Sequence, residues 1–374
     1  MKLLDICETI VDCPHSTAKD EGTGYPLIRT PNVGKGRLKL AGVHRVSENV
    51  YNQRNERAVP QVDDLILARE APVGNVAIIR KGQQVCLGQR TVLIRPNKKY
   101  VDPDYLVYYL LSPELQHKLL SSANGATVSH LNMSSIRSLE VQVPEIEVQK
   151  RIGAILARID DKIELNSTIN DNLEEQAKAL FKSWFVDFDR NEWVHCELGD
   201  ITLITAGGDR PSKYTNKKTI ECHVPIYSNG IDNEGLYGYT NVAKIHEESI
   251  TISARGTIGY VCLRLEPYVP IVRLISIIPN KKELSAKYLY LWALTQNITG
   301  TGTTQQQLTV PIFRKTPISI PSDTKLKQFN SIADPLFSQI ESNKKENIKL
   351  STLRDTLLPK LMSGEISVEE VSLD

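Results

Sequence analysis

Two short runs in this 374-residue chain carry the acid–acid–base look of a metal-dependent nuclease centre: Asp160-Asp161-Lys162 and Asp323-Thr324-Lys325. Such a centre would hold a divalent cation on its carboxylates and steady the attacking water beside it. The first run lies inside a long helical pattern, and the second stands where a helix N-cap belongs, so both read as structural. His195 is followed only after 26 residues by Cys222-His223, which is no regular ligand spacing and marks loops instead. No N-P-P-[FY], G-x-G-x-x-G or G-x-x-x-x-G-K-[ST] motif occurs, so neither a methyl-donor site nor a phosphate loop is indicated. The sequence therefore offers no catalytic residue and no metal site. Cys7, Cys13, Cys86, Cys196, Cys222 and Cys262 show no C-x-x-C pairing, which argues against zinc knuckles and disulfides and for a cytoplasmic chain with reduced thiols.

Recognition chemistry is what remains. Arginine forms paired hydrogen bonds to guanine edges, and Asn or Gln does so to adenine. One set of such side chains comprises Arg29, Asn32, Lys35 and Arg37 in a Gly-bearing loop, then Arg69, Gln89-Arg90 and Ser129-His130. A second comprises Ser228-Asn229, Arg255, Arg273 and Gln305-Gln306, with Arg210 and Lys213 as phosphate contacts. For each, the ordinary alternative is a solvated surface group. Arg69 and Arg255 stand out because they recur in both halves, which equally suits scaffold ion pairs or phosphate anchors.

The elements that must hold these loops follow from composition and repetition. The chain is 41% hydrophobic and 24% charged, ordinary for a globular protein of two or three domains. No run approaches the roughly 18 apolar residues of a membrane span. The net charge of +1 hides an alternation. Residues 1–143 hold 18 Lys+Arg against 14 Asp+Glu, residues 144–190 hold 7 against 10, residues 191–320 hold 13 against 11, and residues 321–374 hold 7 against 9. The chain is written twice.

A shift of 177 residues aligns 125–184 with 302–361 without a gap, giving 13 identities in 60 positions. Among them Leu131, Arg137, Pro144, Asn166 and Asn170 recur as Leu308, Arg314, Pro321, Asn343 and Asn347. More loosely, Ala68-Arg69, Gly74 and Val76 match Ala254-Arg255, Gly259 and Val261. The head of each half reads as short strands (65–67, 76–79, 91–94; 249–253, 260–263, 274–278) followed by a helix near 104–120 or 285–295. Strands at 141–143 and 318–320 end at Pro144 and Pro321, and a long helix follows each.

These helices carry the 4–3 spacing of a coiled-coil seam. In the first, Ile152, Leu156, Ile159, Ile163, Asn166, Asn170, Leu173 and Leu180 form it; in the second, Leu336, Ile340, Asn343, Asn347, Leu350 and Leu357 do. A buried seam Asn is satisfied best by Asn opposite, so the two helices should pair with each other. Pro335 predicts a kink or a broken first turn in the second. The expected architecture is α+β: two globular recognition domains (1–143 and 191–320) and two helical spacers (144–190 and 321–374), pairing antiparallel as a coiled coil about a pseudo-two-fold axis. Two different heads on such a shaft would read two unlike half-sites of a duplex separated by an unread gap.

The duplication, the segment Leu180-Phe181-Lys182-Ser183-Trp184-Phe185-Val186-Asp187-Phe188, and Leu357-Leu358-Pro359-Lys360-Leu361-Met362-Ser363-Gly364-Glu365-Ile366 resemble the specificity subunit of type I restriction–modification systems. The resemblance implies a non-catalytic subunit with two target-recognition domains, double-stranded DNA as its ligand, and assembly with two modification (methyltransferase) subunits and with restriction subunits. S-adenosylmethionine, ATP and Mg²⁺ would then belong to those partners, with no cofactor in this chain and no membrane. Phe181, Trp184, Phe185 and Phe188 could serve the partner surface or a plain core. The alternatives are a DNA methyltransferase or nuclease with its own catalytic site, or a coiled-coil adaptor without a DNA role.

Overall fold

A computed structural model describes residues 1–121, 130–187, 193–280, 284–298 and 308–369. They form two compact units, Met1–Ser167 with Lys344–Asp374, and Thr168–Asn343.

In the first unit β1 (Cys7–Asp12), β2 (Tyr25–Ile28), β3 (Gly36–Arg37), β4 (Arg45–Val46), β5 (Leu65–Ala68), β6 (Val76–Ile78), β7 (Cys86–Leu87) and β8 (Thr91–Pro96) follow in order. One sheet runs β1-β8-β5-β6-β3 and a smaller one β4-β2-β7. The continuous apolar runs of β5, β6 and β8 are explained by burial on both faces. Leu65, Leu67, Val76 and Ile94 pack on one side against Tyr105, Leu106 and Leu156, while Ile66, Ala77 and Leu93 pack on the other against Ile28, Val33 and Leu87.

Helices α1 (Glu48–Arg54), α2 (Pro103–Leu111), α3 (Pro113–Ser121), α4 (Met133–Arg137) and α5 (Ile146–Phe181) complete this stretch of chain. The single helix expected over 104–120 is two, because Pro113 excludes helical backbone at the residue before it, and Ser112 is extended with ψ 149°. The strand expected at 141–143 shrinks to one bridge between Glu140 and Lys2. The 36 residues of α5 make a rod of about 54 Å at 1.5 Å per residue.

The second unit repeats the plan. After β9 (Val194–Glu197) and α6 (Leu198–Ile201) come β10 (Thr202–Ala206), β11 (Val224–Tyr227), β12 (Leu236–Thr240), β13 (Ser249–Ile252), β14 (Val261–Arg264), β15 (Val269–Pro270) and β16 (Ile275–Pro279). Its main sheet runs β10-β16-β13-β14 and the smaller one β12-β11-β15. Then follow α7 (Ala286–Leu294), α8 (Val310–Arg314), β17 (Pro317–Ile320, paired with β9) and α9 (Asp323–Ser363). Met133 and Ile146, which open α4 and α5, stand 177 residues before Val310 and Asp323, which open α8 and α9. The duplication is thus a duplication of elements.

In each unit α5 and α9 run antiparallel. In the first, Asp160 pairs with Arg354 and Asn166 with Asn347; in the second, Asn170 pairs with Asn343 and Phe181 packs on Phe329. Asn166 Nδ2 donates to Asn347 Oδ1 (2.9 Å), and Asn343 Nδ2 donates to Asn170 Oδ1 (2.8 Å). Ile152, Leu156, Ile159 and Ile340 are buried, whereas Ile163, Leu173, Leu180 and Leu350 are half-buried. In α9 the more buried residues are Phe337 and Leu358, one position past Leu336 and Leu357, because a straight helix drifts against a strict seven-residue repeat. Nor does Pro335 break a turn: α9 is continuous across it. Pro335 is exposed, so water can satisfy the carbonyl it leaves unpaired, while Ala333 and Phe337 anchor the same turn in the core.

The buried amides give a first test. Asn166→Leu should destabilise by about 1–3 kcal/mol, because Asn347 Oδ1 then lacks its donor. Leu at both positions should restore or raise the thermal midpoint, since an apolar pair has no donor to satisfy. Thermal unfolding of the parent protein and the two variants checks this ordering.

Candidate nucleic-acid interface

The first head collects its polar groups where β1 and β5 end and β8 begins. Arg69 follows β5 directly and turns inward. Its Nε donates to the Leu131 carbonyl (2.7 Å), Nη1 donates to Asp12 (2.8 Å), and Nη2 lies 2.8 Å from His130 Nε2. His130 Nδ1 is 3.0 Å from Glu70, and Glu70 also pairs with Arg90 at 2.8 Å. His15 approaches Asp12 at 3.2 Å. The result is a connected chain of ion pairs and hydrogen bonds that reaches the surface at Arg90, whose side chain is 55% exposed. Arg69 therefore has no free edge for a base: its side chain is 8% exposed, and its three nitrogens face a carbonyl, a carboxylate and an imidazole.

Other candidates of this head also serve the scaffold. Arg37 Nη2 donates to Asp161 (2.6 Å) and to the Ala157 carbonyl (3.1 Å), tying β3 to α5. Burial opposes its charge, but Tyr108 and the carboxylates of Asp161 and Asp160 hold its pKa above the ordinary arginine value. Asn32 is buried in a turn, accepting from the Arg29 amide (3.1 Å) and donating to the Lys39 carbonyl (3.2 Å). Gln89 accepts from Thr17 (3.1 Å) and donates to the His15 carbonyl (3.3 Å). Arg29 is half-buried and Lys35 exposed. Ser129 lies outside the described residues, as do Gln305, Gln306 and Phe188.

In the second head Arg210 stacks 4.0 Å over the Tyr214 ring and donates to the Tyr237 hydroxyl (3.2 Å), and Lys213 pairs with Glu221. Asn229 is a brace: Nδ2 donates to the Val272 carbonyl (2.6 Å), and Oδ1 accepts from the Ala254 amide (2.8 Å). Ser228 is half-buried and its amide donates to the Gly235 carbonyl (2.8 Å). Arg255 and Arg273 are exposed.

Strand register corrects the match drawn between Arg69 and Arg255. Leu67 pairs with Val76 as Ile252 pairs with Val261, and Gly74 donates to the Ala68 carbonyl as Gly259 donates to that of Ser253. The Leu131 amide then donates to Arg69 as the Leu308 amide donates to Ala254. Arg69 is therefore equivalent to Ala254, and Glu70 to Arg255. Along the neighbouring strands, Asp12 faces Val92 and Ala206 faces Ile275, while Leu67 faces Val92 and Ile252 faces Ile275. Asp12 is thus equivalent to Ala206, so both partners of the Arg69–Asp12 ion pair become alanine together. The arginines that do recur are Arg90 and Arg273, each two residues before the matching Val92 and Ile275, both with left-handed backbone (φ 68° and 60°). Glu70 and Asp12 escaped sequence reading, since acids carry no nucleic-acid signal.

Phe181 and Phe185 of the aromatic segment are core. Both are buried among Tyr288 and Phe329, and Trp184 remains half-exposed, beside Ser183, Ser322, Thr324, Lys325 and Gln328. The first nuclease-like run is spent as well, while Asp323 and Thr324 of the second are exposed in the first turn of α9. Asp160 binds Tyr108 and Arg354, Asp161 binds Arg37, and Lys162 approaches Glu346. Among the described residues no group of three or more His, Cys, Asp or Glu could hold a metal, and no helix is long and apolar enough to cross a membrane.

Known proteins place this geometry. The chain is 27% identical over 365 residues to the Type I restriction enzyme MjaIX specificity subunit of Methanocaldococcus jannaschii, covering 88% of this chain and 83% of that protein. It is 27% identical over 369 residues to the HindI specificity subunit of Haemophilus influenzae, covering 74% and 80%. The crystal structure of the type I restriction–modification S subunit from M. genitalium superposes with a TM-score of 0.58 at 16% identity, covering 96% of this chain and 95% of that one, which shows a shared fold. The sequence model of the type I restriction modification DNA specificity domain matches residues 1–175 and 190–352, one match for each head with its following helix. The duplicated heads, the paired helices and these two matches together make the chain a member of the type I restriction–modification specificity family.

Proposed function

We propose that each head reads one half of a bipartite, asymmetric DNA site, that the α5–α9 pair sets the unread gap, and that the subunit acts in a complex with two modification subunits and with restriction subunits. The observation that carries this reading is that two homologous heads present unlike side chains at equivalent positions, so they cannot favour the same half-site. The subunit itself makes no bond. S-adenosylmethionine, ATP and Mg²⁺ are the business of its partners. With only a small cationic excess on each head, the isolated chain binds duplex weakly, because each phosphate neutralised contributes a slope of only about −0.9 in log affinity against log salt.

Sequencing the methylated positions of a genome carrying the assembled system tests this directly. The expected outcome is a gapped, non-palindromic motif. Exchanging residues 1–143 for those of a relative should change one half of the motif and leave the other half unaltered. A palindromic or ungapped motif would overturn the reading.

A further inference from the structure

Arg90 and Arg273 hold one position in the duplicated fold, each in a turn whose left-handed backbone suits glycine and disfavours any residue with a Cβ. In the second head Val272 shares that conformation, with φ 52°. The turn is pinned there: the Val272 and Arg273 amides donate to the Gly208 and Gly207 carbonyls (2.9 and 3.0 Å), and Asn229 donates to the Val272 carbonyl. In the first head the Arg90 amide donates to the Cys13 sulfur (3.0 Å), and the Arg90 carbonyl accepts from the Arg69 amide (2.9 Å). Neither guanidinium supports its turn. Among the described residues Arg90 has Glu70 as its side-chain partner, and the Arg273 guanidinium is exposed and makes no hydrogen bond or ion pair. An arginine kept twice where glycine fits better is kept for something outside the fold.

The neighbours differ in sign. In the first head Asp12 and Glu70 balance Arg69 and Arg90. At the four equivalent positions the second head has Ala206, Arg255, Ala254 and Arg273: two cations and no acid. We propose that Arg90 and Arg273 are the matching phosphate anchors of the two heads, and that the residue beside each sets how steeply that head depends on salt. Glu70 mutes the first anchor, and Arg255 reinforces the second. This rests on the reading that the heads bind duplex DNA.

The test uses the assembled complex and a duplex carrying the motif taken from its own methylation pattern, with affinity followed from 50 to 200 mM salt. Arg273→Gly should leave the thermal midpoint unchanged or raised, because glycine accepts that backbone, and should flatten the salt slope by about 0.9 without altering the motif. Arg273→Lys should keep the slope. Arg90→Gly should change it less than Arg273→Gly does, and Glu70→Gln should steepen it by releasing Arg90. An unchanged slope in Arg273→Gly overturns the proposal, as does a fall in its thermal midpoint. Lost discrimination at one base pair with the slope intact would overturn it in favour of a base contact. A wild-type complex with no preference for its own motif would instead defeat the underlying reading, and this proposal with it.

Discussion

Asp160→Ala should destabilise the protein by about 3–5 kcal/mol, the range for a buried charge stripped of its counter-ion. Asp160 is 3% exposed, accepts from the Tyr108 hydroxyl at 2.6 Å, and pairs with Arg354 at 2.7 Å. Its removal leaves the Tyr108 phenol without its acceptor and the Arg354 guanidinium with only the exposed Asp355. Burial works to lower the pKa of Arg354, but Asp160 and then Asp355 outweigh it, so the group stays cationic and must be paired. Burial, and secondly the Asp160 carboxylate, push the Tyr108 hydroxyl far above the ordinary tyrosine value, so it remains the donor. Arg354→Ala added to Asp160→Ala should cost less than the sum of the two single changes, because no unpaired charge remains. Urea unfolding of the four proteins measures the coupling, and a value of zero would refute the buried pair as a unit. Loss of hydrogen-exchange protection should begin in Met1–Ser167 and Lys344–Asp374, where this network lies.

Phe329→Ala should cost a similar amount, about 3–5 kcal/mol, for the opposite kind of reason. Phe329 is fully buried, with Phe185, Phe181, Tyr288 and Trp184 ring centroids at 5.0, 6.0, 6.1 and 6.4 Å. Several of these contacts are edge-to-face, the arrangement that adds to simple burial. Truncation opens a cavity that the four surrounding rings and the helices carrying them cannot refill. Protection should fall first in Thr168–Asn343. Phe329→Leu, which keeps most of the volume, should lose much less, and equal losses for Leu and Ala would show that packing is not the cause.

The repeat sets the first unit's buried pair, Asp160 and Arg354, against apolar residues, and carries Phe329 back to Ile152. The 177-residue shift carries Asp160 to Phe337 and Ala177 to Arg354, so a charged pair in one unit answers an apolar pair in the other. That contrast was open to inspection in the sequence, yet nothing there said that these residues face each other. Seam spacing located the helices and their Asn pairs, because period and composition are local properties that survive without coordinates. It missed Phe337 and Leu358, since a one-residue drift depends on whether the helix supercoils or stays straight, which spacing alone does not fix.

The candidate interface divides in the same way. Turns rich in Gly and Ser, loops bearing Arg and Asn, and two unlike heads on one scaffold were legible from residue type and recurrence alone. So was the family, from the repeat and its two helical end segments. Whether an arginine points out or in was not legible. Arg69, Arg37 and Arg90 are alike as letters, but a carboxylate many residues away along the chain claims each of them, in strand and helix neighbours that only folding brings together. The equivalence of Arg69 with Ala254, and of Arg90 with Arg273, was likewise set by hydrogen-bond register, which can slip by one residue in an alignment and cannot in a packed sheet.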